Sequence, residues 1–142
     1  MGYVFDHQVR FHETDGAGVV YFTNELVICH AAYEASLEAA GLNIGLFFRA
    51  DGVAYPIVHA SIDYRRPLQC GDRLTVHLTP TRVDESSFEI QYQLKLKDVP
   101  AAQALTRHVC IEVDSRRRSP LSTPIEQWLD RWGDTSAQAE ES

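Results

Sequence analysis

A carboxylate stands in a glycine-containing turn within Thr14–Asn24, just ahead of a helical pattern. Asp15 is followed by Gly16 and Gly18, and the lack of side chains there lets a ligand approach the backbone closely. The N–H groups of a helix's first turn have no acceptor in the helix and can receive developing negative charge. A base or nucleophile beside such donors suits attack on a carbonyl group. A simpler interpretation remains open, in which Asp15 only caps the helix or forms the turn.

The pattern of apolar residues predicts the elements that position this turn. A long helix is predicted over Asn24–Ala40, where apolar residues recur at three- and four-residue steps, and Gly41 is placed to end it. Strands are predicted at Tyr3–Phe11, Tyr55–Tyr64, Arg73–Val83, Ser86–Lys97 and Ala104–Val113. Ser86–Lys97 alternates most regularly between apolar and polar residues. The short links between the last four strands favour an antiparallel meander, and the loop Leu42–Gly52 is left without an element.

A second helix is predicted near the end of the chain, with Thr123 as N-cap, Pro124 at the first helical position and Glu126 completing a capping box. It should pack on the domain or on a partner subunit. These elements predict one α+β domain over residues 1–133, in which a curved antiparallel sheet wraps around the long helix. Residues 134–142 are small, polar and acidic, and we expect this tail to be disordered.

Composition excludes several classes of function. The 142-residue chain carries a formal net charge of -7, which argues against binding nucleic acid, since that affinity comes from many Lys and Arg contacts to phosphates. No apolar run is long enough to span a membrane, and residues 1–11 lack the apolar stretch of a signal peptide, so a cytoplasmic protein with no membrane role is expected. The three widely spaced cysteines predict reduced, mostly buried thiols.

The histidines do not form a metal-binding pattern. His12 and Glu13 precede Asp15, but no HxxxH or HExxH spacing links them to His30 or His59, so no metal and no cofactor are expected. His30 is interpreted as a hydrogen-bonded interior or interface residue. For His59, a packed or edge position and a contact with substrate both remain open. The strand pattern assigns two further histidines to polar strand faces, His77 and His108.

The run Val9–Phe22 resembles the signature of the 4-hydroxybenzoyl-CoA thioesterase family. The resemblance covers roughly residues 3–121 and continues at Asn24, Tyr33, Glu34, Val58–Tyr64, Pro67, Gly71–Leu74 and His108–Ile111. Within that family the run is most similar to the cyanobacterial hydrolases that act on 1,4-dihydroxy-2-naphthoyl-CoA in phylloquinone synthesis. The resemblance implies a hotdog fold, a homo-oligomer built as a dimer or a dimer of dimers, and an active site at a subunit interface.

The resemblance also implies roles for two residues of this chain. The catalytic aspartate of the family corresponds to Asp15, and the backbone N–H that polarises the thioester carbonyl corresponds to that of Phe22. Some relatives carry Tyr or His at the second position. Phe22 has no polar side chain, so only its backbone N–H carries over from the family. A thiolate leaves without full protonation, so a base or nucleophile and one such donor are sufficient for a thioester. Whether Asp15 attacks the carbonyl or activates water stays open.

Further residues are candidates for binding the substrate. The expected contacts are Gly18, Tyr21, His59, Arg116, Arg117 and Arg118. Aromatic rings expected around the cleft also include Phe22, Phe47, Phe48 and Tyr55, which would suit a planar acyl group. CoA carries several phosphate charges, so an acidic protein needs a local basic patch to hold it. The patch at residues 116–118 is preferred over Arg65–Arg66, although charge clusters at strand ends are often only solvated.

The sequence therefore favours an acyl-CoA thioesterase with an aromatic acyl group of the dihydroxynaphthoyl kind. A second hypothesis keeps the chemistry and changes the substrate to a short or medium aliphatic acyl-CoA or to an acyl group on a carrier protein. A third is a hotdog module that binds acyl-CoA without cleaving it. Asp15 at the position of the catalytic residue argues against the third.

Overall fold

Five strands form one antiparallel sheet, and a long helix packs against one of its faces. The computed structural model describes residues 2–49 and 52–133. The strands are β1 (Tyr3–Gln8), β2 (Val53–Ala54), β3 (Ile57–Tyr64), β4 (Arg73–Asp84), β5 (Ser87–Leu96), β6 (Val99–Val109) and β7 (Ile111–Glu112). The helices are α1 (Phe22–Ala39), α2 (Ile44–Phe47) and α3 (Thr123–Trp132). The large sheet has the order β1-β4-β5-β6-β3, and β2 pairs with β7.

Alternating side chains on the central strands build the core. In β4 and β5 the apolar residues face inward, among them Leu74, Val76, Leu78, Phe88, Ile90, Tyr92 and Leu94. The side of α1 that meets them buries Ile28, Cys29, Ala32, Tyr33 and Leu37. The apolar side chains of the strands and of the helix thus meet in one layer between the sheet and α1, where each element buries its apolar side. The predicted α+β class is confirmed.

The long helix is confirmed, although it begins two residues earlier than predicted. Its last turn closes on Gly41, which has a φ of 93° and donates its N–H to the carbonyl of Glu38. Leu42 donates to the carbonyl of Leu37. A left-handed residue at this point satisfies the last carbonyls of the helix, and glycine adopts that conformation without steric cost.

The strand order differs from the predicted meander. Strands β4, β5 and β6 follow one another as expected, but β3 pairs with β6 instead of β4. The link at residues 65–72 carries the chain across to the other side of the sheet, where Val9 donates its N–H to the carbonyl of Asp72. Consequently the outer edge of β3 has no partner strand within the described residues, and nearly all of β3 is exposed.

The structure corrects two predicted strand boundaries and adds one short helix. β1 ends at Gln8, because Phe11–Glu13 turn into a short 3-10 helix. β6 begins at Val99, five residues before the predicted start, because Lys97 and Asp98 form the hairpin turn with φ values of 51° and 65°. Such turns usually contain Gly or Asn, so this one gave no sequence pattern to detect. The loop after α1 also contains α2, where the side chain of Asn43 accepts the N–H of Leu46.

The C-terminal helix packs on the domain, and its predicted cap was wrong. The N-cap is Ser122 rather than Thr123, and the carboxylate of Glu126 lies 2.6 Å from Arg82 instead of closing a capping box. Trp128 donates its indole N–H to the hydroxyl of Ser36 at 2.9 Å. The tail at residues 134–142, predicted to be disordered, lies outside the described residues.

Two of the three cysteines match the predicted buried thiols. Cys29 and Cys110 are buried, whereas Cys70 is exposed, and all three are free. Among the described residues, no helix is long and apolar enough to cross a membrane.

Candidate active site

Asp15 lies in a tight, exposed turn that the local backbone holds in shape. Its N–H donates to the carbonyl of Val19 at 2.9 Å, and the N–H of Gly18 donates to the carbonyl of Asp15 at 3.0 Å. Oδ1 of Asp15 accepts the N–H of Ala17 at 2.8 Å. Gly18 has a φ of 82°, which L side chains rarely adopt. A Cβ atom added at Gly16 or Gly18 would meet no atom within 4 Å, so a ligand has room to approach.

Asp15 forms its own turn but does not cap α1. The N-cap residue is Tyr21, and its side chain makes no capping hydrogen bond. Phe22 is the first residue of α1, so its N–H has no acceptor inside the helix. A bridge between Thr14 and Val20 folds the segment back on itself, which brings the start of the helix alongside the residue that precedes Asp15. The arrangement combines an exposed carboxylate with free helical N–H donors.

A buried glutamate ties this loop to the start of α1. The carboxylate of Glu13 accepts the backbone N–H of Arg10 at 2.7 Å, and each of its oxygens lies 3.0 Å from Nε2 of His7. The carbonyl of Glu13 accepts the N–H of Tyr21 and the side-chain amide of Asn24, both at 2.9 Å. Sequence reasoning considered Glu13 only as a metal ligand and missed this positioning role. The available hint was Asn24, an amide side chain within the first turn of the helix.

A cleft of about 340 Å³ opens beside Phe22. It is lined by Val19, Val20, Phe22, Glu25, Tyr64, Arg65, Arg66, Pro67 and Leu68. The Tyr64 hydroxyl donates to the carbonyl of Phe22 at 2.5 Å, which joins the end of β3 to the start of α1. The ring of Tyr21 lies 4.8 Å from that of Phe22, and both residues are about half exposed. The site thus has an aromatic surface with two arginines beside it.

The preferred arginine patch lies far from Asp15 in the same chain. Arg118 pairs with Asp84 at 3.5 Å, and Arg116 and Arg117 are exposed on the adjoining turn. The Asp15 loop lies beyond the other end of β4, since Val19 bridges Gln69 in the link that leads into that strand. β4 has 12 residues and a strand rises about 3.3 Å per residue, so the strand that separates the two regions is up to roughly 36 Å long. Within one chain, the arginines beside Phe22 are Arg65 and Arg66.

Three aromatic residues predicted to line the cleft lie elsewhere. Phe47 stacks on Tyr55 at 5.4 Å, and Phe48 lies 5.8 Å from His30 and 6.2 Å from Tyr33. His30 and Tyr33 are 8 and 11 positions beyond Phe22 on α1, or about 12 and 16 Å along the helix. These rings therefore cover the middle of α1. The half-exposed His30 is not interior, and His59 is exposed on β3 away from the cleft residues.

His108 was wrongly assigned to a polar strand face. Its ring is buried, stacks on Phe88 at 4.8 Å, and places Nε2 2.9 Å from the hydroxyl of Thr106. Burial lowers the pKa of His108 to about 4, so the imidazole is neutral at physiological pH. The face of β6 that packs on the core carries small or polar residues, whereas Leu105 lies on the other face. The sequence of β6 therefore lacks the usual alternation of apolar core residues with polar surface residues. Among the described residues, no group of three or more His, Cys, Asp and Glu side chains could hold a metal ion.

Comparison with known proteins gives consistent matches over nearly the whole chain. The sequence profile of the thioesterase-like superfamily matches residues 9–132. A 1,4-dihydroxy-2-naphthoyl-CoA hydrolase from Nostoc punctiforme is 48% identical over 130 residues, which are 92% of this chain and 88% of the other. The protein of the same name from Trichodesmium erythraeum is 49% identical over 132 residues, covering 91% and 96% of the two chains.

Solved structures give the same result. The crystal structure of a 1,4-dihydroxy-2-naphthoyl-CoA thioesterase from Synechocystis superposes with a TM-score of 0.86 at 38% identity, covering 90% of this chain and 95% of that one. A thioesterase-like protein of unproven activity from Prochlorococcus marinus superposes with a TM-score of 0.89 at 36% identity, covering 92% and 96%.

Proposed function

The chain belongs to the thioesterase-like superfamily, and from this premise we propose that it hydrolyses an acyl-CoA thioester to the free acid and CoA. The proposed substrate is 1,4-dihydroxy-2-naphthoyl-CoA, in phylloquinone biosynthesis, because relatives at 48 and 49% identity carry the name of that hydrolase. The observation that supports the chemistry is the loop that presents the exposed Asp15 and folds back, through the Thr14–Val20 bridge, to the start of α1 in a hotdog fold. We propose that residues 1–133 form one catalytic domain.

Each group in the site has a part in the proposed reaction. The carboxylate of Asp15 either takes a proton from a water that attacks the thioester carbonyl, or attacks that carbonyl itself. The second route gives a mixed anhydride, which water then hydrolyses to release the acid and restore Asp15. The carbonyl oxygen gains negative charge and is stabilised by the N–H of Phe22, a type of donor whose loss typically costs about 2.7 to 4 kcal/mol. CoA leaves as the thiolate, so a strong general acid is not required.

A direct assay separates hydrolysis from binding alone. The intact protein is incubated with 1,4-dihydroxy-2-naphthoyl-CoA, released thiol is followed with a chromogenic disulfide, and the free acid is identified by mass spectrometry. Catalytic release of thiol supports the enzyme. A stable complex with uncleaved thioester would instead support a binding module, and turnover only of aliphatic or carrier-bound thioesters would move the substrate to the second hypothesis.

The open edge of β3 supports a homo-oligomer. Unpaired strand edges are ready to pair with another strand, and this one exposes Ile57, Val58 and Tyr64. Tyr64 contacts Phe22, so the edge is continuous with the start of α1 and with the exposed Val27 on that helix. We infer that two copies join their β3 edges in antiparallel register about a two-fold axis.

A charged substitution on this edge tests the dimer. Ala60→Lys should place two like charges close to the two-fold axis, because the middle of β3 lies there when the Ile57 end of one copy is beside the Tyr64 end of the other. The variant should shift toward monomer in sedimentation velocity, with loss of activity. Val4→Lys is the matched control, because Val4 is an exposed apolar residue of β1, which lies at the opposite edge of the sheet from β3. A wild-type protein that sediments as a monomer at assay concentrations would contradict the dimer.

Such a dimer would also give the distant arginine patch a role. Val109 donates its N–H to the carbonyl of Pro56, and Arg118 bridges Ile111, so the patch lies toward the Ile57 end of β3. In antiparallel pairing, the Ile57 end of one copy lies beside the Tyr64 end of the other. Residues 116–118 of a second copy would then approach the cleft at Phe22, where a CoA phosphate could be held between subunits.

Replacing Arg116, Arg117 and Arg118 together with Ala should raise KM several-fold and leave kcat nearly unchanged. The penalty should shrink at high salt, since screening weakens the attraction in the wild type. The comparison variant replaces Arg65 and Arg66, which line the cleft of the same chain. A KM effect confined to that double variant would assign phosphate binding to the cleft's own arginines. Unchanged KM in the triple variant across salt concentrations would leave residues 116–118 as solvated surface.

A further inference from the structure

Glu25 is a buried carboxylate on the side of α1 that faces the cleft. It lies one helical turn after Phe22, is 3% exposed, and lines the same 340 Å³ cavity. Within residues 2–49 and 52–133, its Oε2 atom has no hydrogen-bond partner. Burial raises the pKa of Glu25 to about 7. Neither the proposed chemistry nor the sequence analysis gives this residue a function.

A purely structural role does not account for this placement. A glutamate in the first turn of a helix favours the helix dipole from an exposed position and gains nothing from burial. Arg65 and Arg66 line the same cleft, yet among the described residues no ion pair joins either of them to Glu25. Buried polar atoms are normally hydrogen-bonded, so an unpaired carboxylate oxygen at a cleft indicates a donor supplied by a ligand.

The direction of the side chain suggests where that donor lies. Helical side chains tilt toward the N-terminus of their helix, so the carboxyl group of Glu25 lies over the first turn, which begins at Phe22. Residues three apart on a helix have Cβ atoms about 5 to 6 Å from each other. If the Phe22 N–H holds the thioester carbonyl, substituents on the adjoining acyl ring fall within reach of Glu25.

Building on the proposed hydrolysis of an aromatic thioester, we propose that the Glu25 carboxyl group binds a ring hydroxyl of the acyl group and thereby selects hydroxylated aromatic substrates. This gives Glu25 a contact with the acyl group, whereas the sequence analysis had considered His59 for contact with the substrate. A hydroxyl that reaches Oε2 satisfies the buried oxygen, whereas an unhydroxylated ring covers that oxygen without giving it a partner. Sites of this kind discriminate strongly against analogues that lack the hydroxyl.

The test compares two thioesters that differ only in ring hydroxyls, 1,4-dihydroxy-2-naphthoyl-CoA and 2-naphthoyl-CoA. The ratio of their kcat/KM values is measured for the wild type, Glu25→Gln and Glu25→Leu. Glu25→Leu should lower the ratio at least tenfold, mainly by slowing the hydroxylated substrate, while 2-naphthoyl-CoA stays within about threefold of its wild-type value. Glu25→Gln keeps an acceptor of the same shape and should give an intermediate ratio. Glu38→Leu is the control, since Glu38 is an exposed carboxylate on the same helix.

The outcomes separate this inference from the proposed function. An unchanged ratio in Glu25→Leu, with active enzyme, would overturn the role of Glu25 and leave the hydrolase assignment intact. An equal loss for both substrates, or a change in sedimentation, would also overturn it, because the carboxylate would then support the fold or the subunit contact. Failure of the wild type to cleave either thioester would instead contradict the proposed function. Thermal melting of each variant shows whether the fold is retained, and Glu25→Gln keeps the test decisive if the leucine variant unfolds.

Discussion

Replacing Asp15 with asparagine is expected to lower kcat at least about a thousandfold, a barrier change of roughly 4 kcal/mol. The amide has the shape of the carboxylate, and its oxygen can still accept the N–H of Ala17, so the turn should persist. It is neither basic nor nucleophilic, and both versions of the proposed mechanism need a carboxylate at this position. KM and the melting temperature should change little. The measurement is steady-state thiol release on wild type and variant under identical conditions.

The matched control is Asp114→Asn, which makes the same chemical change on an exposed turn after β7. Its rate should stay within about twofold of wild type. If Asp15→Asn keeps more than about a tenth of the wild-type rate, a barrier change under roughly 1.4 kcal/mol, Asp15 is not the catalytic carboxylate. In that case the hydrogen bond from the Ala17 N–H, which holds the turn, would be enough to explain why residue 15 is an aspartate.

The parts of this fold that could be predicted are those determined by local sequence. Helix α1 has apolar residues at three- and four-residue steps and a glycine just after its end, and β5 alternates over most of its length. Both patterns repeat within a few residues, so they do not depend on what the rest of the chain does. The Asp15 turn was also visible, because Gly16, Gly18 and the following helix are consecutive in sequence.

What could not be predicted depends on contacts between distant segments. The pairing of β3 with β6 arises from the course of residues 65–72, and no local pattern specifies it. His108 is buried because its strand lies against Phe88 and Tyr33, which come from other elements. In the sequence, Glu25 is one of several charged residues in a predicted helix, and nothing beside it indicates a function. It becomes a candidate only because the 64–68 segment packs beside it and forms the cleft.

The arginine patches show the same limit at the level of the assembly. The density of arginines in the sequence favoured residues 116–118 as the phosphate-binding patch. The fold of a single chain instead places Arg65 and Arg66 beside Phe22. The distance along β4 means that the first patch reaches a site only if a second copy supplies it. Chain composition therefore identifies groups able to bind phosphate, but their use depends on which edges of the sheet meet.

The largest expected difference between substrates is that kcat/KM for 1,4-dihydroxy-2-naphthoyl-CoA exceeds the values for benzoyl-CoA and hexanoyl-CoA by at least about a hundredfold, roughly 2.7 kcal/mol. The cleft offers the rings of Phe22 and Tyr64 to a flat acyl group, with the half-exposed Tyr21 beside Phe22. Its volume of about 340 Å³ lies in the range of small-molecule sites. An aliphatic chain could bury comparable apolar area, so ring packing alone gives modest preference. The remaining discrimination must come from the hydroxyl groups, which only the naphthoyl substrate carries.

The three thioesters are assayed at equal enzyme concentration, with kcat/KM taken from initial rates well below KM. Benzoyl-CoA reports the loss of the second ring and of the hydroxyls, and hexanoyl-CoA reports the loss of planarity as well. A benzoyl value close to the naphthoyl value would mean that neither the second ring nor the hydroxyls are recognised. A higher value for hexanoyl-CoA would reject the naphthoate substrate while leaving thioester hydrolysis by Asp15 in place, since the attacking carboxylate and the Phe22 N–H do not contact the far end of the acyl group.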